Sequence, residues 1–279
     1  MKLKLLLITC LCFFMTAVSA ADGKKEIHVS TDNISLIYRV GDNGRLYQTY
    51  LGQKLKNQED FVNLPNLGEA YIANGMEDYF DPAIRMLHND GNQSLLLQYV
   101  SHETRQVQSG VSETTVLLQD DKYPVDVKLY FVTFAGEDII KTYTEIVHRE
   151  KKPVTLYNYA SSMLHLNASD YYLTEFAGDW AHEVNMTETP LVFGKKMLDT
   201  KLGSRSNLFC SPFFFVSLGE AARENSGDVL FGTIGWTGNF RFTFEVDQTN
   251  KLRIISGINP FASEYSLRPN EIFRTPEFI

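Results

Sequence analysis

The chain has 279 residues, 44 % of them hydrophobic, 22 % charged and 13 % aromatic, a balance that excludes a disordered or low-complexity chain. At roughly 100–200 residues per domain, the length allows one large domain or two small ones. Lys and Arg number 26 against 34 Asp and Glu, a net charge of −8, which argues against a nucleic-acid binder with its basic footprint.

The chain opens with Lys2 and Lys4, followed by an almost unbroken apolar run over 5–18. That run is short for a bilayer span. Val18-Ser19-Ala20 then supplies small residues at a cleavage site. The pattern predicts a secretory signal peptide over residues 1–20, cut after Ala20, and so a secreted or periplasmic protein with no membrane attachment after cleavage. Cys10 and Cys12 fall inside it, leaving Cys210 as the only thiol of residues 21–279. With no disulfide to staple it, that domain must rest on a large core.

From residue 21 onward the dominant period is two. Short strand candidates lie at 35–40, 95–99 and 116–119. Val125, Val127, Leu129 and Phe131 then alternate with Asp126, Lys128 and Tyr130, and Ile140, Thr142, Thr144 and Ile146 with Lys141, Tyr143 and Glu145. Further candidates follow at 154–159, 213–218 and 229–236. Phe240, Phe242, Phe244 and Val246 alternate with Arg241, Thr243, Glu245 and Asp247, and a last candidate lies at 252–255. Such alternation is that of half-buried strands. Turn-forming clusters at 41–44, 89–91, 135–138, 150–153, 225–227 and 248–250 separate them in the manner of hairpins. Residues 68–75 hold at most one helical turn. The expectation is one all-β domain over 21–279, a large antiparallel β-sandwich of two packed sheets.

Metal, phosphate and nucleophile motifs are absent: the six histidines have no zinc spacing, and no G-x-S-x-G elbow, P-loop or dinucleotide fingerprint occurs. No cofactor is implied. Cys210, beside Phe209, Phe213 and Phe214, reads as a packed thiol. N-x-S/T sequons occur at Asn33, Asn92, Asn167 and Asn185. Three segments break the strand pattern. Residues 75–83 gather Glu77, Asp78 and Asp81 with Tyr79 and Phe80 before Pro82. Carboxylates that accept from hydroxyls, beside aromatic faces, are the chemistry of a sugar site, and a plain surface turn is the alternative. Residues 175–183 set Trp180 among acids in a glycine-containing loop, either a sugar platform or a core tryptophan at a sheet edge. Residues 235–240, around Trp236, read as a turn between strands.

These segments carry a resemblance. Asp78-Tyr79-Phe80-Asp81-Pro82-Ala83 is similar to a D-F-R-E-P-A loop, and 176–183 to a G-x-W-x-R-E segment. Leu202-Gly203-Ser204-Arg205-Ser206 through Ser211-Pro212-Phe213 matches S-R-x-x-S…N-P-F more loosely. Gly235-Trp236-Thr237-Gly238-Asn239-Phe240, Ile255-Ser256-Gly257-Ile258-Asn259-Pro260 and the close with Leu267, Pro269, Glu271, Phe273 and Thr275-Pro276-Glu277 complete the pattern. The chain resembles the N-terminal domain of glycoside hydrolase family 36, the α-galactosidase and raffinose-type group. The resemblance implies a β-supersandwich similar to galactose mutarotase, and a partner (β/α)8 barrel in cis or trans that carries two catalytic aspartates for retaining hydrolysis of α-galactosides. Retention needs such carboxyls about 5–5.5 Å apart. It also implies homo-oligomers in which this domain lends residues to a neighbour's site, with Asp78 and Trp180 as substrate-binding positions and no catalytic residue in this chain. Phe80 and His182 stand where the pattern has arginine, which removes two bidentate donors. The chain reaches Ile279 with no K-W-D nucleophile motif, so the expected role is an accessory domain, inert alone. The alternatives are a secreted galactoside-binding module and an aldose-epimerase-like protein. The latter would pair a histidine (His102, His165 or His182) with Glu175 as acid and base.

Overall fold

The computed structural model describes residues 25–57, 59–76 and 80–279. The expected signal peptide over 1–20 lies outside the described residues, as does Asp78. The chain starts with β1 (Glu26–Ser30), β2 (Ile34–Val40) and β3 (Leu46–Gln53), passes a one-turn helix α1 (Glu59–Val62) and returns as β4 (Gly68–Glu69), forming a sheet in that order. Residues 68–75 thus hold a strand and a turn, and the helical turn lies earlier in the chain. After β5 (Ile84–Leu87) come β6 (Leu97–Gln108), β7 (Val111–Asp120), β8 (Val125–Phe134) and β9 (Ile139–His148), a meander of successive hairpins. Strand β8 alternates buried and half-buried residues along its whole length, as its sequence period requires.

The long β10 (Val154–Asn167) leads to β11 (Tyr171–Ala177), β12 (Asn185–Pro190) and β13 (Gly194–Asp199). The chain closes with β14 (Phe213–Arg223), β15 (Ser226–Thr233), β16 (Phe240–Val246), β17 (Lys251–Ile258), β18 (Tyr265–Leu267) and β19 (Ile272–Arg274). These build three further sheets, in orders β13-β16-β17-β10-β18 with β5 also on β10, β12-β11-β14-β15, and β19-β9-β8-β7-β6.

The all-β expectation holds, but the two-layer sandwich does not, and with it falls the supersandwich similar to galactose mutarotase. The described strands form four sheets in a four-bladed, propeller-like ring. Burial gives the physical reason. Strands β16 and β17 are buried on nearly every residue, and β10 is buried without a break from Tyr159 to Leu166. A sheet covered on both faces needs packed neighbours on each side, which one pair of layers does not supply. Register irregularities at Leu156/Asn158 and Ala160/Ser162 bend β10, as bulges do, so that it pairs with β5 and β18 at one end and β17 at the other.

Sheets are also joined by polar contacts. Asp138, at φ 54° between β8 and β9, accepts from the Thr31 hydroxyl at 2.7 Å, the Asn33 backbone N–H at 2.9 Å and the Asn33 side-chain amide at 2.8 Å. Hydrogen bonds from Asn33 and then Thr31 hold its carboxyl below the usual aspartate range. A carboxylate with a depressed folded pKa stabilises fully above its unfolded value of about 3.9 and loses that contribution as pH falls through the folded value. Urea midpoints measured from pH 6 down to pH 3 are therefore expected to fall less steeply in Asp138→Asn than in the parent, and parallel slopes would contradict the assignment.

Candidate functional site

The second half of the 75–83 loop is fixed by the strands around it. The Arg253 guanidinium of β17 lies 3.7 Å from the Phe80 ring centroid. Asp81 binds Lys195 of β13 at 2.7 Å, and its backbone N–H donates to Glu245 of β16 at 3.3 Å. The Asn158 side-chain amide donates to the Pro82 carbonyl. Ala83 donates to the Ile72 carbonyl and accepts from the Ala160 N–H, both at 2.8 Å. Lys195 also reaches Glu245 at 3.2 Å. Burial raises the Glu245 carboxyl above its ordinary pKa against the pull of Lys195. Burial opposes the Lys195 charge, yet the Asp81 hydrogen bond and the Glu245 charge outweigh it and hold that ammonium above its usual value. The two carboxylates thus share one ammonium.

Beside this loop opens a groove of about 560 Å³ lined by Asp81, Arg85, Tyr157, Asn158, Arg241 and Asn259, among others. Arg85 stacks over the Tyr157 ring at 4.6 Å. Arg241 reaches the Asn158 side-chain oxygen at 3.5 Å, and burial lowers its pKa against the nearby Asp81, Asp199 and Glu245 charges. Asn259 donates to the Asp199 carboxylate at 3.1 Å and the Thr200 carbonyl at 3.0 Å. Fixed donors, carboxylate acceptors and an aromatic face suit a neutral polyhydroxylated ligand. Of these residues the sequence pointed to Asp81 and Asn259, through the acidic loop and the G-I-N-P run. Arg85, Tyr157, Asn158 and Arg241 come from separate strands, and only pairing gathers them.

Trp180 is 86 % exposed, so it is not the core anchor that its aromatic bulk allows. Its loop is nonetheless well tied. Asp179 and His182 exchange backbone hydrogen bonds at 3.2 and 3.0 Å, the Asp179 carboxylate accepts from the Trp180 N–H at 2.7 Å, and Gly178 donates to the Phe209 carbonyl. Ala181 and Val184 sit at φ 60° and 58°, strained for side chains of their type. Trp180 hangs from the β11–β12 hairpin, whereas the groove lies on the sheet of β13, β16, β17 and β10. Among the described residues Glu175 binds the Lys196 ammonium at 2.7 Å, while His165 bonds the Glu69 carbonyl and His102 the Tyr99 hydroxyl. Strand β15 ends at Thr233, so Trp236 lies in the connection to β16, where a Cβ on Gly238 would stand 2.7 Å from its indole nitrogen.

Cys210 packs against the core, and burial pushes its thiol up to about 11. The thiolate is the reactive form. Iodoacetamide at pH 8 is therefore expected to label Cys210 slowly in the folded chain and promptly in urea, read by peptide mass spectrometry. Equal rates would contradict the burial.

Comparison with known proteins gives the family. The model of the glycosyl hydrolase family 36 N-terminal domain matches residues 37–268. Alpha-galactosidase Mel36A of Lactobacillus acidophilus is 22 % identical over 92 % of this chain and 40 % of its own length. Alpha-galactosidase 2 of Pediococcus pentosaceus is 26 % identical over 91 % and 39 %. The crystal structure of the alpha-galactosidase from Lactobacillus brevis superposes with a TM-score of 0.83 at 24 % identity, covering 94 % of this chain and 40 % of that one. That of AgaA from Geobacillus stearothermophilus gives 0.82 at 23 %, covering 91 % and 40 %. The chain thus shares their fold and spans about 40 % of the length of these relatives. Matched over most of its length, it belongs to the glycosyl hydrolase family 36 N-terminal domain family.

Proposed function

We propose that this chain serves an α-galactosidase-type hydrolase as its non-catalytic β domain, working beside a catalytic barrel supplied in cis or in trans. The observation that carries the reading is the extent of the match: most of this chain corresponds to the N-terminal 40 % or so of proteins named alpha-galactosidases. The Asp81–Lys195–Glu245 arrangement supports a structural role for these acids, since the shared ammonium holds both carboxylates in ion pairs. In this reading Asp78 accepts hydrogen bonds from galactoside hydroxyls. In the same reading Trp180 adds an apolar wall to the galactoside subsite.

The test is an assay of the purified full chain on p-nitrophenyl α-galactoside. No turnover above buffer is expected, and appreciable turnover would overturn the assignment. The exposure of Trp180 on a tied loop favours a second reading, a galactoside-binding module that acts alone. Calorimetry with melibiose distinguishes them. A dissociation constant of about 1 mM or tighter that is lost in Trp180→Ala supports independent binding, and a flat titration leaves the accessory role.

In the same proposal the basic head, apolar run and small-residue site of residues 1–20 direct export as a cleaved signal peptide. Among the described residues no helix is long and apolar enough to cross a membrane. Intact-mass measurement of material from the expressing cell is expected to place the mature start at Ala21, and retention of Met1 would refute cleavage.

A further inference from the structure

We infer that the outward face of the sheet β12-β11-β14-β15 is the seat of the domain that follows this one in family 36 relatives. The inference rests on the proposal above that the chain works beside such a domain, and it names the surface.

Residues directly opposed across antiparallel strands point to the same face. Phe214 and Val216 of β14 are fully buried on the inward face. Phe213 and Phe215 therefore point outward. Their partners on that face are Phe231 of β15, opposite Phe215, and Thr233, opposite Phe213. Phe176 of β11 and Met186 of β12, opposed to one another, extend the same side. The rings form a continuous layer: Phe176 to Phe213 at 4.8 Å, Phe176 to Phe215 at 5.8 Å and Phe215 to Phe231 at 5.2 Å. Among the described residues nothing covers its margin, for Met186 is 70 % and Phe231 46 % exposed. The open face of an antiparallel sheet is ordinarily polar. A contiguous layer of phenylalanine and methionine is instead the composition of an interface core.

What covers it is indicated by the path of the chain. Ile279 and Thr233 exchange backbone hydrogen bonds at 2.9 and 3.0 Å. Ile279 thus lies at the rim of this face, beside the residue opposite Phe213. In the relatives the matched segment is N-terminal and more than half of the protein lies beyond it. A domain continuing from Ile279 would depart from that rim. The Trp180 loop hangs from the same sheet, so a domain seated on the phenylalanines would meet Trp180 at its edge.

The test joins the full chain after Ile279 to the part of AgaA that follows its matched segment. Hydroxyl-radical footprinting then compares the fused protein with the chain alone, alongside turnover of p-nitrophenyl α-galactoside. Oxidation of Met186 and Phe231 is expected to fall about fivefold or more, as for residues entering a packed interface, with exposed His102 of β6 as the unchanged control. Phe231→Glu is expected to lower turnover of the fusion about tenfold or more, whereas Val107→Glu on β6 leaves it alone. Turnover without protection overturns the surface and leaves the proposed function standing. Protection without turnover keeps the surface and removes that function, and loss of both removes both. Protection already present in the chain alone, and lost on dilution, would make the occupant a second copy and overturn the inference.

Discussion

Glu150→Ala is expected to destabilise the domain by about 3–5 kcal/mol, the cost of removing one partner of a buried ion pair. The Glu150 side chain is 2 % exposed and the His88 side chain 0 %. One carboxylate oxygen meets His88 Nδ1 at 2.7 Å. The other accepts from the Asn89 backbone N–H at 3.0 Å and from the Asn89 side-chain amide. The second His88 nitrogen faces the Ser94 carbonyl at 3.1 Å, and the ring stacks on Tyr123 at 3.6 Å. Both ring nitrogens thus have an oxygen partner. Alanine would leave that ring without its acceptor in a site water does not reach, and would free the exposed Asn89 amide from its partner. The turn at 89–91, which links β5 to the segment leading into β6, would lose its anchor.

Urea unfolding of Glu150→Ala against the parent measures the cost. The double variant His88→Phe/Glu150→Leu controls for shape, because replacing both ions by apolar groups is often close to neutral. A double variant nearer the parent than either single variant is the expected ordering. A single-variant cost below about 1 kcal/mol would place the pair among weakly coupled surface contacts instead.

This pair shows where sequence reading stops. Residues 89–91 and 150–153 are legible as turns from their Gly, Asn, Asp and Pro content, yet nothing local says that the first is tied to the carboxylate of the second. The same holds for the architecture. Alternation over 125–131, 140–146 and 240–246 places strands β8, β9 and β16 well, because a half-buried strand writes its period into the chain. It does not say which sheet covers a buried face, so two layers and four blades are written alike. Strands β1, β3, β4, β5, β11, β12, β13, β18 and β19 escape the reading. Asn185–Pro190 is mostly exposed and polar, and carries no apolar stripe. The candidate site divides in the same way. Asp78 and Trp180 stand out by residue type in irregular loops, and the resemblance assigned them a role. The groove formed by Arg85, Tyr157, Asn158 and Arg241 depends on β5 and β16 lying beside and near β10, contacts that close across long stretches of chain.

Phe214→Ala is expected to cost about 3–5 kcal/mol, the range for emptying a fully buried aromatic site. Its ring is 0 % exposed. It meets Phe244 edge-on at 4.8 Å, Phe242 at 5.0 Å and Phe278 at 6.2 Å. It therefore locks the β12-β11-β14-β15 sheet to the sheet of β16 and to the last residues of the chain. Phe215, one residue on, points to the other face and is only half-buried. Phe215→Ala is expected to cost about 1 kcal/mol or less in the isolated chain, as for positions away from the packed core. Equal costs for the two neighbours, measured by urea unfolding, would mean that the sheet faces are wrongly assigned. Gly232 sharpens the test. It pairs with Phe214 across the strands, and a Cβ there would stand 2.4 Å from the Phe214 ring and 2.8 Å from that of Phe278. Gly232→Ala alone is expected to cost about 1–3 kcal/mol through overpacking. In Phe214→Ala/Gly232→Ala the new methyl enters space the lost ring vacates, so the pair should cost less than the sum of its parts. Relief is incomplete because Phe278 still crowds the methyl. Strict additivity would mean that the glycine answers to something other than the ring packed against it.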